Sequence, residues 1–320
     1  MKRILSALLA ALMVALALAG CASKPAEEKV YTVGICQLVT HEALDAATKG
    51  FKDALTEALG DKVKFEEGNA SNDSASCATI VNGFVSGGVD LILANATPAL
   101  QAAASATDSI PVLGTAVTEY GVALSIDNFN GTVGNNISGT SDLAPLDQQA
   151  DMITELFPDA KNVGILYCSG EPNSVYQAKV VKDCLEKKNI KVEVYTFADS
   201  NDVSTVTSSA CANSDVIYIP TDNTAASCTE AISAVALPAG VPIVAGEEGI
   251  CKGCGVATLS IDYYELGRTT GQMAVKILKG EANVSEMPIE YYPNPVKKYN
   301  ADIASKLNVT IPEGYTAISD

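Results

Sequence analysis

The chain of 320 residues has no tryptophan, a single histidine and only 6% aromatic residues. One histidine, His41, cannot build a multi-histidine metal site. Without tryptophan a favoured stacking surface for a sugar ring is missing, which weakens a carbohydrate reading. Positive charge is scarce too: 21 Lys and Arg stand against 38 Asp and Glu, a formal net charge of −17. That balance argues against nucleic acid and against a basic membrane-binding face. No G-x-S-x-G elbow, G-x-x-x-x-G-K-[ST] phosphate loop or G-x-G-x-x-G fingerprint after a strand is present, so an enzyme reading finds little. Glu247 and Glu248 are adjacent, and neighbouring side chains point apart, which suits paired acid–base work poorly. Beyond the first 21 residues no apolar run reaches the ~18 residues that a membrane span needs.

The N-terminus carries the strongest signal. Lys2 and Arg3 precede an uncharged apolar stretch from Ile4 to Ala19, which closes in Leu18-Ala19-Gly20-Cys21. This is the layout of a secretory signal, 1–21. It resembles the bacterial lipobox, which implies a lipidated (palmitate-type) Cys21 as the first mature residue. Buried acyl chains at ~0.8 kcal/mol per CH2 would anchor the protein at the outer face of the membrane, through lipid alone. Residues 22–30 are small, charged and proline-containing and read as a flexible linker. The remainder is long enough for about two domains.

Eight further cysteines, Cys36, Cys77, Cys168, Cys184, Cys211, Cys228, Cys251 and Cys254, permit disulfides outside the cytoplasm. Several sit in apolar patterns, where a thiol serves as a small hydrophobe. Cys251-Lys252-Gly253-Cys254 is compatible with a local disulfide, a redox pair, half a zinc site or two incidental thiols. The lack of a second C-x-x-C weighs against zinc.

From Val30 the chain alternates apolar runs with amphipathic segments. Leu44, Ala47, Phe51, Leu55, Ala58 and Leu59 share one face of a helix over 42–59. Strands are expected at 31–36, 63–67, 91–94 and 111–114, with helices at 74–86 and 99–106. A second series follows: helices at 146–157, 174–188, 202–212, 225–235 and 266–279, and strands at 163–167, 191–195, 215–219, 242–245 and 256–260. Repeated strand–helix units imply parallel sheets covered by helices, an α/β architecture of two doubly wound lobes. Ligands bind beyond the carboxyl ends of such strands. The loops there hold Thr97, Ser141, Asp142, Asn173, Ser174, Asp222, Asn223 and Glu247, and His41 lies at the same end. Each of these residue types also serves as an ordinary helix cap. Together they suit a zwitterion. Thr97, Ser141, Asn173 or Ser174 would donate to a carboxylate, and Asp142, Asp222 or Glu247 would pair with an ammonium. His41 either lines the cleft or is a solvated loop residue.

Four segments, 33–55, 91–103, 220–227 and 246–281, include "LILANATPALQAA", "PTDNTAAS" and "GEEGICKGCGVATLSIDYYELGRTTGQMAVKILKGE". They resemble the ABC transporter substrate-binding proteins related to the tryptophan/tyrosine-binding lipoproteins of Gram-positive bacteria. The resemblance implies a type I periplasmic-binding-protein fold whose lobes are joined by a three-strand hinge. Crossovers would fall near 138–141, 260–262 and 286–290. The N-terminal lobe would comprise 31–140 plus 261–286, and the C-terminal lobe 141–260 plus 287–320. It further implies a monomeric, cofactor-free receptor for a free amino acid (Trp, Tyr or Phe), serving a permease and its ATPase. A nucleoside, sugar or small peptide in the same fold is the alternative, and a redox protein using Cys251 and Cys254 a third. Phe129, Tyr176, Tyr263 and Tyr264 are open as pocket aromatics.

Overall fold

The computed structural model describes residues 29–319. The signal segment, the Cys21 lipidation site and residues 22–28 of the linker lie outside the described residues. Among the described residues no helix is long and apolar enough to cross a membrane.

The first series runs β1 (Tyr31–Gln37), α1 (Glu42–Leu59), β2 (Val63–Asn69), α2 (Ser74–Gly87), β3 (Leu91–Asn95), α3 (Thr97–Ala106), β4 (Val112–Val117), α4 (Tyr120–Ala123) and β5 (Ile137–Ser141). The second runs α5 (Leu146–Leu156), β6 (Asn162–Cys168), α6 (Pro172–Lys187), β7 (Lys191–Phe197), α7 (Val203–Asn213), β8 (Val216–Ile219), α8 (Asn223–Ser227), α9 (Thr229–Ala239), β9 (Ile243–Ala245), α10 (Glu248–Cys254) and β10 (Ala257–Ser260). Then come α11 (Tyr263–Leu278), β11 (Glu290–Tyr291), β12 (Val296–Tyr299), α12 (Ala301–Lys306) and β13 (Thr316–Ala317).

Two sheets result, ordered β11-β5-β4-β3-β1-β2 and β13-β12-β10-β9-β8-β6-β7. The first is parallel throughout. In the second the pairing of β10 with β12 is antiparallel, and β13 runs alongside β12 in the same reversed direction. Helices cover both faces of each sheet, so β3 and β4 are buried along their whole length and read as continuous apolar runs. Each sheet accordingly has an apolar cluster on either side. In the first lobe, Val33, Ile35 and Leu93 pack under α1 and α11, while Ile92 and Ala94 face Val81, Phe84 and α3.

The chain passes between the sheets three times: from β5 to α5, from β10 to α11, and from β11 to β12. The return of α11 to the first lobe depends on glycine. A Cβ on Gly267 would lie 2.0 Å from the Ala47 carbonyl oxygen, and one on Gly50 would lie 2.0 Å from that of Tyr264. Bare backbone therefore faces backbone where α1 and α11 cross.

Several segments differ from the sequence pattern. β5 is a strand of Ile, Ser, Gly, Thr and Ser, without the apolar period that would reveal it. Its hydroxyls find internal partners instead: Ser138 Oγ donates to Met287 O at 2.9 Å and Thr140 Oγ1 meets Thr270 Oγ1 at 2.8 Å. The helix expected at 225–235 divides at Cys228 into α8 and α9, the first of which begins two residues early with Asp222 as its cap. α10 forms where a loop was expected at Gly246–Gly249, with Glu247 as its cap. The last crossing lies at 292–295 and not at 286–290, since Glu290 and Tyr291 still pair with Thr140 and Ser141 of the first sheet.

Candidate functional site

In the first lobe the carboxyl ends of β3 and β4 carry strained backbone. Ala96 has φ 88° and Ala116 φ 51°, conformations that cost a residue with a Cβ on the order of 1–3 kcal/mol. Ala96 N donates to Thr115 O at 3.0 Å, which couples the two bends. Ala96 is also the N-cap of α3 and offers no side chain to its amides. Thr97, buried and followed by Pro98, thus opens a helix whose first N–H groups are uncapped, a position that favours an anion.

Ser141 ends β5, Asp142 follows it, and both are buried. Ser141 Oγ donates to Thr118 O at 2.7 Å and accepts from Leu143 N at 3.1 Å, so this hydroxyl shapes the crossover. Asp142 Oδ2 accepts from the Tyr263 hydroxyl at 3.0 Å. Its Oδ1 is buried and has no hydrogen-bond partner among the described residues. Burial holds the Asp142 carboxyl above its ordinary range, opposed by hydrogen bonds from Thr118 and Tyr263. Of the other aromatics left open, Tyr264 points away, with its hydroxyl on Asp53 at 2.9 Å.

The second lobe contributes a denser cluster. Asp222 Oδ1 accepts from Ala225 N at 2.7 Å, and Oδ2 accepts from Cys168 N at 2.8 Å and Ser174 Oγ at 2.7 Å. Burial, and the facing Glu171 carboxylate, push Asp222 up to about 8. Asn173 Nδ2 donates to Thr221 O at 3.0 Å, while its Oδ1 is buried without a partner. Glu247 gives one oxygen to Gly249 N at 2.7 Å and the other to Ile250 N, and burial pushes it up to about 7. The oxygens of Asp222 and Glu247 are therefore committed to the starts of α6, α8 and α10 and to the end of β6. Of the three carboxylates expected to meet an ammonium, Asp142 alone retains an unpartnered buried oxygen.

Glu171 was not among the residues expected from sequence. It is buried. It accepts from Asn223 N at 3.0 Å and Nδ2 at 2.7 Å, and from Thr224 N at 2.9 Å and Oγ1 at 2.8 Å. An acidic residue just before Pro172 at the start of α6 was the available hint, and it reads as a plain cap. The lobes meet here: His41 Nε2 lies 3.3 Å from Asn223 Oδ1, Asn72 Nδ2 donates to Thr224 Oγ1 at 3.0 Å, and Lys252 pairs with Glu42 at 3.5 Å. His41 thus belongs to the lobe–lobe contact.

Of the alternatives open for Cys251 and Cys254, the local disulfide is not formed. Both thiols are free and buried in α10, and Cys254 Sγ donates to Ile250 O at 3.3 Å. Burial pushes both well above the ordinary thiol value, which is the wrong direction for a reactive cysteine.

Two α/β lobes, crossed three times by the chain and meeting over a cleft of strand-end loops, define a solute-binding protein. The family model described as ABC transporter substrate binding protein matches residues 32–319, and the chain belongs to that family. It is thus a solute binder and not an enzyme, acting outside the cytoplasm with a small molecule and a permease as partners. It is 36% identical over 305 residues to a tyrosine-binding protein of Clostridioides difficile, spanning 90% of this chain and 87% of the relative. A crystal structure from Streptococcus pneumonia in complex with L-Trp matches at 33% identity and TM-score 0.85, over 90% of this chain and 99% of that one. The ligand-free, open structure of a substrate-binding protein with adhesive properties from Clostridium difficile matches at 37% identity but TM-score 0.69, over 91% and 99%. The closer shape match to the liganded relative, despite its lower identity, accords with the cross-cleft contacts: these lobes are closed.

Proposed function

We propose that the protein is the lipid-anchored receptor of an ABC importer, and that its solute is a free aromatic amino acid. The observation that carries this reading is Asp142 Oδ1, a buried acceptor with no partner, on a carboxylate oriented by Tyr263. An α-ammonium supplies the missing donors. The uncapped start of α3 at Thr97 receives the α-carboxylate, and Asn173, whose Oδ1 is also unpartnered, adds an acceptor from the other lobe. Ser141, Ser174, Asp222, Asn223 and Glu247 shape the loops. Relatives that bind tyrosine and L-Trp support the aromatic choice. Lipidation at Cys21 would keep a monomeric receptor beside its permease, and the partner ATPase would drive uptake.

Calorimetric titration with L-Tyr, L-Trp and L-Phe, and with their des-amino propionate analogues, tests this reading. Removing the partner of a buried charge costs about 2–5 kcal/mol, so the analogues should bind at least ~30-fold more weakly. Equal affinity for the des-amino compounds would refute the ammonium assignment. Binding of a nucleoside or sugar alone would replace the solute.

A further inference from the structure

Beside the Lys252–Glu42 ion pair, two hydrogen bonds across the cleft end on consecutive residues, Asn223 and Thr224, in the first turn of α8. On a five-residue helix an Asn and a Thr side chain would ordinarily sample several rotamers, at an entropic cost when fixed. Glu171 removes that freedom. One of its oxygens takes both the backbone and side-chain N–H of Asn223, and the other takes the backbone N–H and the hydroxyl of Thr224. The consequences for the facing lobe follow from donor and acceptor bookkeeping. With Nδ2 held by Glu171, Asn223 must present Oδ1, so His41 meets it with a proton on Nε2. With its proton given to Glu171, Thr224 Oγ1 offers only lone pairs, which is what Asn72 Nδ2 requires.

We infer that Glu171 is a positioning residue for lobe closure, setting from inside the second lobe the two side chains that latch onto His41 and Asn72. A solute that needs the closed form has its apparent affinity scaled by the closed fraction, so Glu171 acts on binding without touching solute. The latch uses protein groups alone, and its test is independent of the solute assigned above.

His41 is the only histidine, so a proton NMR titration of the protein with no solute added follows a single imidazole. In the closed cleft burial lowers its pKa below the ordinary 6.5, while its bond to Asn223 and the Glu171 and Asp45 carboxylates raise it. The Glu42–Lys252 ion pair lies next to it in the chain and across the cleft. Glu171→Gln separates two roles by sign. The glutamine amide keeps one accepting oxygen and puts an NH2 donor where the other oxygen accepted, so it cannot hold Asn223 and Thr224 together. If Glu171 sets the latch, the cleft opens, His41 is rehydrated, and its midpoint rises toward 6.5. If Glu171 is only a nearby charge, its loss withdraws an attraction for the imidazolium and the midpoint falls. Asn72→Ala cuts the second cross-cleft bond from the first lobe without disturbing Glu171, and should also raise the midpoint. It carries the test if circular dichroism shows that E171Q does not fold. A wild-type midpoint already at 6.5, a midpoint that falls or stays in folded E171Q, or one that stays in N72A would each overturn the inference.

Discussion

Tyr263 and Asp142 meet at the base of the cleft, hydroxyl to Oδ2, at 3.0 Å. This bond fixes which carboxylate oxygen is spent and leaves Oδ1 buried without a partner. The two residues come from different passes of the chain, β5 and the start of α11, so the hinge itself assembles the pair. Asp142→Asn should weaken aromatic amino-acid binding by at least ~30-fold, as expected for losing a buried charged partner. Tyr263→Phe keeps the charge but frees its orientation. Losing a hydrogen bond to a charged group costs about 1.5–3 kcal/mol, so a ~10- to 100-fold loss is expected by calorimetry. If Tyr263→Phe binds as tightly as wild type, the tyrosine does not orient the carboxylate.

The crossing of α1 and α11 yields a paired prediction about stability. Gly267→Ala places a methyl 2.0 Å from the Ala47 carbonyl oxygen, and backbone cannot yield cheaply. Overpacking of this kind costs about 1–3 kcal/mol or more, read as a lower urea midpoint. Gly83 lies in α2, and a Cβ there would meet nothing within 4 Å. Gly83→Ala should therefore raise the midpoint, by up to ~1 kcal/mol of helix propensity. Equal effects at the two sites would contradict the close backbone contact.

Much of this fold is written in apolar rhythm. β3 is a run of buried Leu, Ile, Leu and Ala, and α1 repeats its buried face at helical spacing, so both are legible without a structure. β5 is not, because its Ser138, Thr140 and Ser141 are buried through hydrogen bonds. Polar residues satisfied by distant partners leave no periodic trace. The site divides the same way. The loops at Thr97, Asp142, Asn173 and Asp222 follow from the rule that strand ends carry ligands. Which carboxylate keeps an available oxygen does not follow, since Asp222 is occupied by Cys168 and Ser174, which lie 54 and 48 residues away. Glu171 escaped notice for that reason also: its role needs Asn223 and Thr224, 52 and 53 residues on.

The cysteines should be quiet. Cys36, Cys77, Cys168, Cys251 and Cys254 are buried, while Cys184, Cys211 and Cys228 are partly accessible. Among these eight, brief maleimide treatment of the native protein, read by peptide mass spectrometry, should modify only the last three. Cys251 and Cys254, raised by burial, should react only after denaturation. Rapid native labelling of either would revive the cysteine-based function.

Stability should fall as pH rises from 5 to 9, and the sign follows from two raised carboxyls. Burial and the Glu171 charge lift Asp222 from 3.8 to about 8, and burial lifts Glu247 from 4.5 to about 7. The folded protein thus holds these protons more tightly than the unfolded chain does. Their contribution is complete below about pH 4 and is lost as pH climbs through the folded values. His41, lowered from 6.5 by burial, opposes this below its ordinary value, but as a single, partly exposed group. Melting temperatures across the range should therefore decline toward alkaline pH. Glu247→Gln should flatten the curve up to about 7, and Asp222→Asn up to about 8, each removing its own segment of the slope. A wild-type melting temperature that holds steady or climbs between pH 5 and 8 would mean that both carboxyls are ionised in the fold. Their hydrogen-bond donors, three on Asp222 and two on Glu247, would then outweigh the cost of burial.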